Sequence, residues 1–472
     1  MSHKLRAPCP LHRHAQARPD ALALWAPNRR WTYAELDAAV AATAARLREE
    51  HLAGSRVALQ MRRGPDLVLL LWALWRTGGV AMPLSTRLPG TQARRTARRL
   101  NVRCFVTGED AGAGDHLDLM APEDLVERKG NGAPKPKPRP VQRRATIVFT
   151  SGSTGTPKAV LHSWANHLYS AKGSNANLPL RPGDRWLVSL PLYHVGGIAI
   201  LVRCALAGAA VVIPDPDSSL SASVDATGAT HASLVSTQLR RLLNACETLP
   251  GRVRGLLLGG GSLPDVLLRR GYDRGWPLHT SYGSTEMASQ VTTTPPGASL
   301  NDLRTAGRCL PHRRVRISPD GEIQAAGRTL CLGGAEGSQQ FQDPRVGGWF
   351  PTGDLGRLDA QGRLHVLGRT DRQFVSGGEN IQPEEVEAAL ERIDGIERAV
   401  VVPVPDDEYG QRPVAFVRSE TGTIPDDWRT TLSAVLPRYK LPDSVRDLPE
   451  EAVRDQMKVD RDMLRRVARK ST

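Results

Sequence analysis

Apolar residues along the chain fall into two recurring patterns. Short runs of five or six residues, at 57–61, 80–84, 102–107, 145–149, 186–190, 209–214, 231–235, 254–258 and 277–281, read as buried strands. Between them lie helical stretches: 33–50, opened by the capping-box pattern Thr32-Tyr33-Ala34-Glu35, then 65–76, closed by Gly78-Gly79, and later 238–246. Strands alternating with helices predict an α/β fold with a mostly parallel sheet. From about Arg304 the texture changes to short alternating strands at 315–317, 322–325 and 363–367, separated by Pro319-Asp320-Gly321 and Ala360-Gln361-Gly362 turns. Beyond about 370 another unit begins, with Pro383 in the first turn of a helix running to Arg392, strands at 400–404 and 413–417, and a helix at 428–436. The expectation is a large N-terminal α/β domain over 1–369, with a β-rich subdomain at about 304–369, and a small α+β domain over 370–472.

The predicted strand ends carry the candidate chemistry, as parallel sheets bind ligands at the C-terminal ends of their strands. After 145–149 comes Thr150-Ser151-Gly152-Ser153-Thr154-Gly155-Thr156-Pro157-Lys158. The spacing of Val160, Leu161, Trp164 and Leu168 reads as a helix face, which makes the stretch a strand-to-helix loop. Its hydroxyls, backbone N–H groups and Lys158 suit an anion. It is not a P-loop, because Lys158 follows Pro157 and no Ser or Thr follows the lysine. Three further strand-end segments are Pro191-Leu192-Tyr193-His194-Val195-Gly196-Gly197, Gly259-Gly260-Gly261 and Ser281-Tyr282-Gly283-Ser284-Thr285-Glu286. Taken singly, each is also readable as an ordinary turn, Glu286 as a carboxylate favoured by a helix dipole, and His194 as a buried, hydrogen-bonded histidine.

Bulk properties narrow the class. The 472 residues carry 63 Lys and Arg against 49 Asp and Glu, a net charge of +14. The basic residues are spread along the chain without an aromatic-interleaved stripe, so no nucleic-acid partner is expected. The longest apolar run, 67–75, falls far short of the roughly 20 residues of a membrane span. The N-terminal stretch lacks an apolar signal core, and the six cysteines are scattered, which points to a reduced, cytoplasmic setting. The Pro- and Lys-rich stretch 129–140 reads as an extended surface loop.

The 150–158 stretch resembles the phosphate-loop signature of the acyl-adenylate-forming (AMP-binding) superfamily, and further motifs extend the resemblance over nearly the whole chain. It implies the ANL-type fold with a mobile C-terminal domain, ATP and CoA as co-substrates, Mg²⁺ as cofactor, and a small carboxylic acid activated as its acyl-AMP. By this resemblance Thr150, Ser151, Gly152, Ser153, Thr154 and Gly155 hold the β- and γ-phosphates, and Lys158 either joins them or anchors the loop. Gly259, Gly260 and Gly261 lie against adenine, Tyr282 stacks on it between Ser281 and Gly283, Thr285 contacts the α-phosphate and Glu286 binds Mg²⁺. In Trp349-Phe350-Pro351-Thr352-Gly353-Asp354, Asp354 takes the ribose hydroxyls, a role whose plain alternative is a turn-capping Asp. Arg369 reaches ribose or phosphate, Asp371 or Arg372 is the domain hinge, and Gly377 and Gly378 line the channel for the pantetheine arm of CoA. Lys458 aligns with the C-terminal catalytic lysine, although Met457 stands where the family pattern has Gly.

Within the superfamily, the segments around His194, Gly259 and Tyr282-Gly283-Ser284-Thr285-Glu286-Met287-Ala288-Ser289-Gln290 look like the 2-succinylbenzoate–CoA ligases of menaquinone biosynthesis. That implies an acyl pocket in which His194 contacts the acyl group and Ser289 and Gln290 face the aromatic acid. Another aryl- or acyl-CoA ligase, or a stand-alone amino-acid adenylation enzyme, remains as an alternative; the amino-group-binding Asp of the latter is absent from 186–197. The sequence does not set the oligomeric state, and a homodimer is left open.

Overall fold

A computed structural model of the chain describes residues 5–108, 117–128, 136–150, 158–261, 263–336, 340–419, 423–425, 427–455 and 458–469. Two large sheets dominate. In the first, strands Arg144–Thr150, Val80–Pro83, Arg56–Gln60, Cys104–Thr107 and Asp118–Met120 run parallel side by side. In the second, Leu278–Ser284, Gly255–Leu258, His231–Leu234, Arg185–Leu187, Ala210–Val212 and Leu22–Ala26 do the same. Antiparallel strands close one edge of the first sheet and both edges of the second.

Both sheets are covered on both faces, which is why their strands read as unbroken apolar runs. Along Arg56–Gln60, Val57 and Leu59 enter the main core while Ala58 faces a second one with Val80, Phe105 and Ile147. The main core draws on both sheets and on helices Tyr33–Glu49, Pro65–Thr77, Trp164–Asn177 and Val195–Ala207. The first of these starts as its capping box predicts: Thr32 Oγ1 accepts from Glu35 N–H and the Glu35 carboxylate accepts from Thr32 N–H.

One expectation is corrected. The 150–158 stretch is not a strand-to-helix loop. Strand Lys158–Ser163 follows it and pairs antiparallel with Arg144–Thr150 on one side and Gly333–Glu336 on the other. The helix begins only at Trp164, where Ser163 accepts from Asn166 N–H. The misreading has a physical cause: Ala159 and Leu161 face one core and Val160 another, so the strand shows no alternation to separate it from a helix.

The β-rich subdomain is an antiparallel sheet in the order Arg313–Ile317, Glu322–Gly327, Phe350–Leu358, Leu364–Arg369. Val160, Met287, Val291, Ala325 and Phe350 form a small apolar cluster that ties this sheet to Lys158–Ser163 and to the segment after Tyr282. The residues from Phe374 onward build two cores of their own around the long hairpin Ile396–Asp406 and Gly410–Ser419. Among the described residues no helix is long and apolar enough to cross a membrane.

Candidate active site

Strand Leu278–Ser284 starts parallel to Gly255–Leu258 and ends antiparallel to Ser289–Thr293, so Tyr282, Gly283 and Ser284 belong to a strand rather than to the loop expected. Gly283 faces Gln290 across that pair, and a Cβ there would lie 2.1 Å from the Ser289 carbonyl oxygen, which excludes any side chain. The chain then turns through Thr285 and Glu286. Ala288 and Ser289 follow with φ of +54° and +102°, a left-handed pair unusual for residues bearing side chains.

Several bonds hold this turn. The Thr285 carbonyl accepts from His162 Nε2 at 2.7 Å and from Ala288 N–H at 3.1 Å, and the Glu286 carbonyl accepts from Cys331 N–H at 2.7 Å. Ser170 Oγ donates to the Ala288 carbonyl at 2.6 Å. The half-buried Glu286 carboxylate accepts no hydrogen bond among the described residues, which leaves its oxygens available to a hard cation.

Tyr282, Asp354 and Arg369 converge. The Tyr282 hydroxyl donates to Asp354 Oδ2 at 2.6 Å, and Arg369 Nη1 donates to Asp354 Oδ1 at 3.1 Å. Burial, and then the Asp354 charge, push the Tyr282 phenol well above its ordinary value, so it remains a donor. Asp354 and Arg369 are direct partners across neighbouring strands, so Asp354 lies within a strand and is not a turn cap. Arg369 also binds Asp371, with both distances 3.2 Å. Burial would lower the Arg369 value, but the Asp371 and Asp354 carboxylates outweigh it and hold the guanidinium charged. Arg372 pairs with Glu384 at 2.8 Å. At the end of Gly255–Leu258, Gly259 N–H donates to the Leu234 carbonyl and Ser281 Oγ to the Leu258 carbonyl, which sets Gly259, Gly260 and Gly261 beside the Tyr282 strand.

Other expected positions are less fully placed. Ser151, Gly152, Ser153, Thr154 and Gly155 lie outside the described residues. Thr150 and Lys158, which flank them, pair with each other, and the Lys158 alkyl chain lies against Gly334. Gly377 and Gly378 have φ of +57° and +85° and form the two-residue turn of hairpin Phe374–Ser376 and Glu379–Ile381, as a mirror-image hairpin turn requires. The Lys458 backbone pairs with Asp455 in a short hairpin of the C-terminal unit; its side chain and Met457 fall outside the described residues.

Of the acyl-pocket candidates, Ser289 and Gln290 meet a buried arginine that was not among the expected site residues, and His194 stands apart from them. His194 caps helix Val195–Ala207, its ring 4.7 Å from that of Tyr193. On the same helix Arg203 is 1 % exposed. Its Nη2 donates to Gln290 Oε1 at 2.6 Å and lies 3.4 Å from Ser289 Oγ, and the guanidinium sits over Trp186. Arg313, also buried, donates from Nε to the Gln290 carbonyl at 2.6 Å and from Nη2 to Ser170. Burial lowers Arg203 to about 10; burial and then Arg203 itself lower Arg313 to about 9. Neither guanidinium has a carboxylate partner among the described residues. The sequence signal was available: Arg203 is the one charged residue in the apolar stretch from Val195 to Ala207.

Two family models match: an AMP-binding enzyme model over residues 11–336 and an AMP-binding enzyme C-terminal domain model over 385–453. The chain belongs to the AMP-binding enzyme family. It is 33 % identical over 462 residues to the 2-succinylbenzoate–CoA ligase of Bacillus pumilus (strain SAFR-032), covering 94 % of each chain. It resembles the solved o-succinylbenzoate CoA synthetase of Bacillus subtilis in complex with its acyl-adenylate intermediate, with a TM-score of 0.87, 29 % identity and 98 % of each chain covered. The same Bacillus subtilis enzyme in complex with ATP and magnesium ion gives a TM-score of 0.85 at 29 % identity, covering 94 % of this chain and 96 % of the other.

Proposed function

We propose that this protein is an ATP-dependent acid–thiol ligase that converts 2-succinylbenzoate, ATP and CoA into 2-succinylbenzoyl-CoA, AMP and diphosphate. The observation that carries the substrate choice is the pair Arg203 and Arg313, two buried guanidinium groups without a carboxylate partner among the described residues, meeting at Gln290. A monocarboxylic acid spends its only charge at the reacting centre. 2-Succinylbenzoate has a second carboxylate, and a desolvated cation stabilises such an anion far more than water-exposed lysine does. Gln290 serves to aim Arg203, since its Oε1 is already taken by that guanidinium.

In the first half-reaction a carboxylate oxygen attacks the α-phosphorus of ATP, the bond to the β-phosphate oxygen breaks, and diphosphate leaves. Tyr282, Asp354 and Arg369 hold the adenosine, with Asp354 facing the ribose hydroxyls. Thr285 contacts the α-phosphate, and the loop between Thr150 and Lys158 takes the leaving phosphates. Glu286 would hold Mg²⁺, which screens phosphate charge. Lys158 anchors the loop hairpin, and Lys458 neutralises charge as the acid attacks. In the second half-reaction the CoA thiol, losing its proton, attacks the acyl carbon and AMP leaves. Residues 370–472 form the domain that turns about Asp371 and Arg372 between the two steps, bringing Gly377 and Gly378 to the pantetheine arm. The six free cysteines suit a cytoplasmic setting.

The test is pyrophosphate release across a panel of carboxylic acids with and without CoA. The expected result is turnover with 2-succinylbenzoate and thioester formation only when CoA is present. Turnover confined to benzoates, short fatty acids or amino acids would reject the assignment.

A further inference from the structure

His162 is fully buried, on the strand that leaves the phosphate-loop hairpin. Its Nε2 lies 2.7 Å from the carbonyl oxygen of Thr285, in the turn between strands Leu278–Ser284 and Ser289–Thr293 of the other large sheet and 123 residues away in the chain. A carbonyl only accepts, so the proton of the neutral ring is on Nε2 and Nδ1 carries the lone pair. Among the described residues Nδ1 has no hydrogen-bond partner, and the ring packs at 5.1 Å from that of His167. Burial lowers His162 to about 4, so the ring stays a neutral donor through the physiological range. The carbonyl it binds belongs to the peptide between Thr285 and Glu286. The same turn continues into the left-handed pair Ala288 and Ser289, a conformation that persists only where its surroundings fix it.

We propose that His162 is a positioning residue that locks the Thr285–Glu286 turn to the strand pair Arg144–Thr150 and Lys158–Ser163, and so holds Thr285 and Glu286 in place to meet the nucleotide phosphates. This rests on reading Thr285 and Glu286 as phosphate and metal residues. Without the imidazole, the Thr285 carbonyl keeps Ala288 N–H at 3.1 Å and loses its link to the hairpin. Unmaking one such buried bond corresponds to a roughly 10- to 100-fold effect.

The experiment compares His162→Leu, His162→Gln and His162→Asn in the full chain. A Gln amide nitrogen reaches about as far as Nε2, whereas that of Asn does not. Read out are the ATP dissociation constant by titration, KM for ATP and for the acid, and the thermal midpoint. Expected is a loss of ATP affinity of roughly 10-fold or more in H162L and H162N, restored to within about threefold in H162Q, with KM for the acid moving less than about twofold. Equal losses in H162Q and H162N, or KM rising alike for both substrates, would show that packing alone is at work and overturn the proposal. So would unchanged ATP affinity in H162N. If H162L does not fold, the comparison of Gln with Asn still decides. Thr285→Ala tests the underlying reading separately: if it leaves ATP binding intact while wild type binds ATP, the phosphate assignment fails on its own.

Discussion

Replacing Arg203 by Met separates substrate recognition from stability more cleanly than any other change in the acyl pocket. Burial brings this guanidinium from its ordinary value down to about 10, so holding the charge in place costs about 3 kcal/mol. Met fills a similar volume without the charge. Gln290 Oε1 loses its donor, at a cost of about 1 kcal/mol, so the net effect on folding is neutral to about 2 kcal/mol stabilising. Activity moves the other way. On the proposed reading a bound carboxylate offsets that 3 kcal/mol in wild type, so its loss should lower kcat/KM for 2-succinylbenzoate by roughly 10²-fold. Coupled pyrophosphate release would be run on 2-succinylbenzoate and on an analogue lacking the ring carboxylate, beside urea unfolding of both proteins. R203M should lose its preference for the dicarboxylate while KM for ATP stays put and the urea midpoint holds or rises. An R203M enzyme within about threefold of wild type on the dicarboxylate would refute the reasoning, as would an equal loss on both acids.

Asp354→Ala removes the shared acceptor of Tyr282 and Arg369; KM for ATP should rise at least roughly 10-fold while KM for the acid barely moves, as initial rates would show. Stability should fall between pH 6.5 and about 4, because unfolded His162 takes up a proton there that the folded, buried ring refuses. That contribution is intact above pH 6.5 and amounts to about 3 kcal/mol when fully lost; in urea titrations H162Q should show a correspondingly shallower acid slope. Lys458→Ala should cut acid-dependent pyrophosphate release by roughly 10²-fold while sparing thioester formation from supplied acyl-AMP, and unchanged release would remove Lys458 from the chemistry.

Much of the scaffold was legible because its signals are local. Thr32 and Glu35 announce a helix start, and Gly78 with φ of +84° ends the next helix where Gly78-Gly79 said it would. The strands read as apolar runs came out within a few residues of their positions because both sheets are covered on both faces. The same double covering hid strand Lys158–Ser163, whose inward and outward residues are equally apolar. The turn-cap alternative for Asp354 falls because the residue pairs with Arg369 inside the antiparallel sheet. Motif positions such as Tyr282, Asp354 and Arg369 could be named from the sequence, but not the bond of Tyr282 to Asp354, which joins strands 72 residues apart in the chain. His162, Arg203 and Arg313 escaped for that reason: each acquires its partner only through tertiary packing, His162 across 123 residues.

The most direct measurement is AMP formation by the purified protein from ATP and 2-succinylbenzoate. Stoichiometric AMP and diphosphate, with 2-succinylbenzoyl-CoA appearing once CoA is added, is the expected result. ATP left intact with every carboxylic acid offered, or cleaved to ADP and phosphate, would contradict the account.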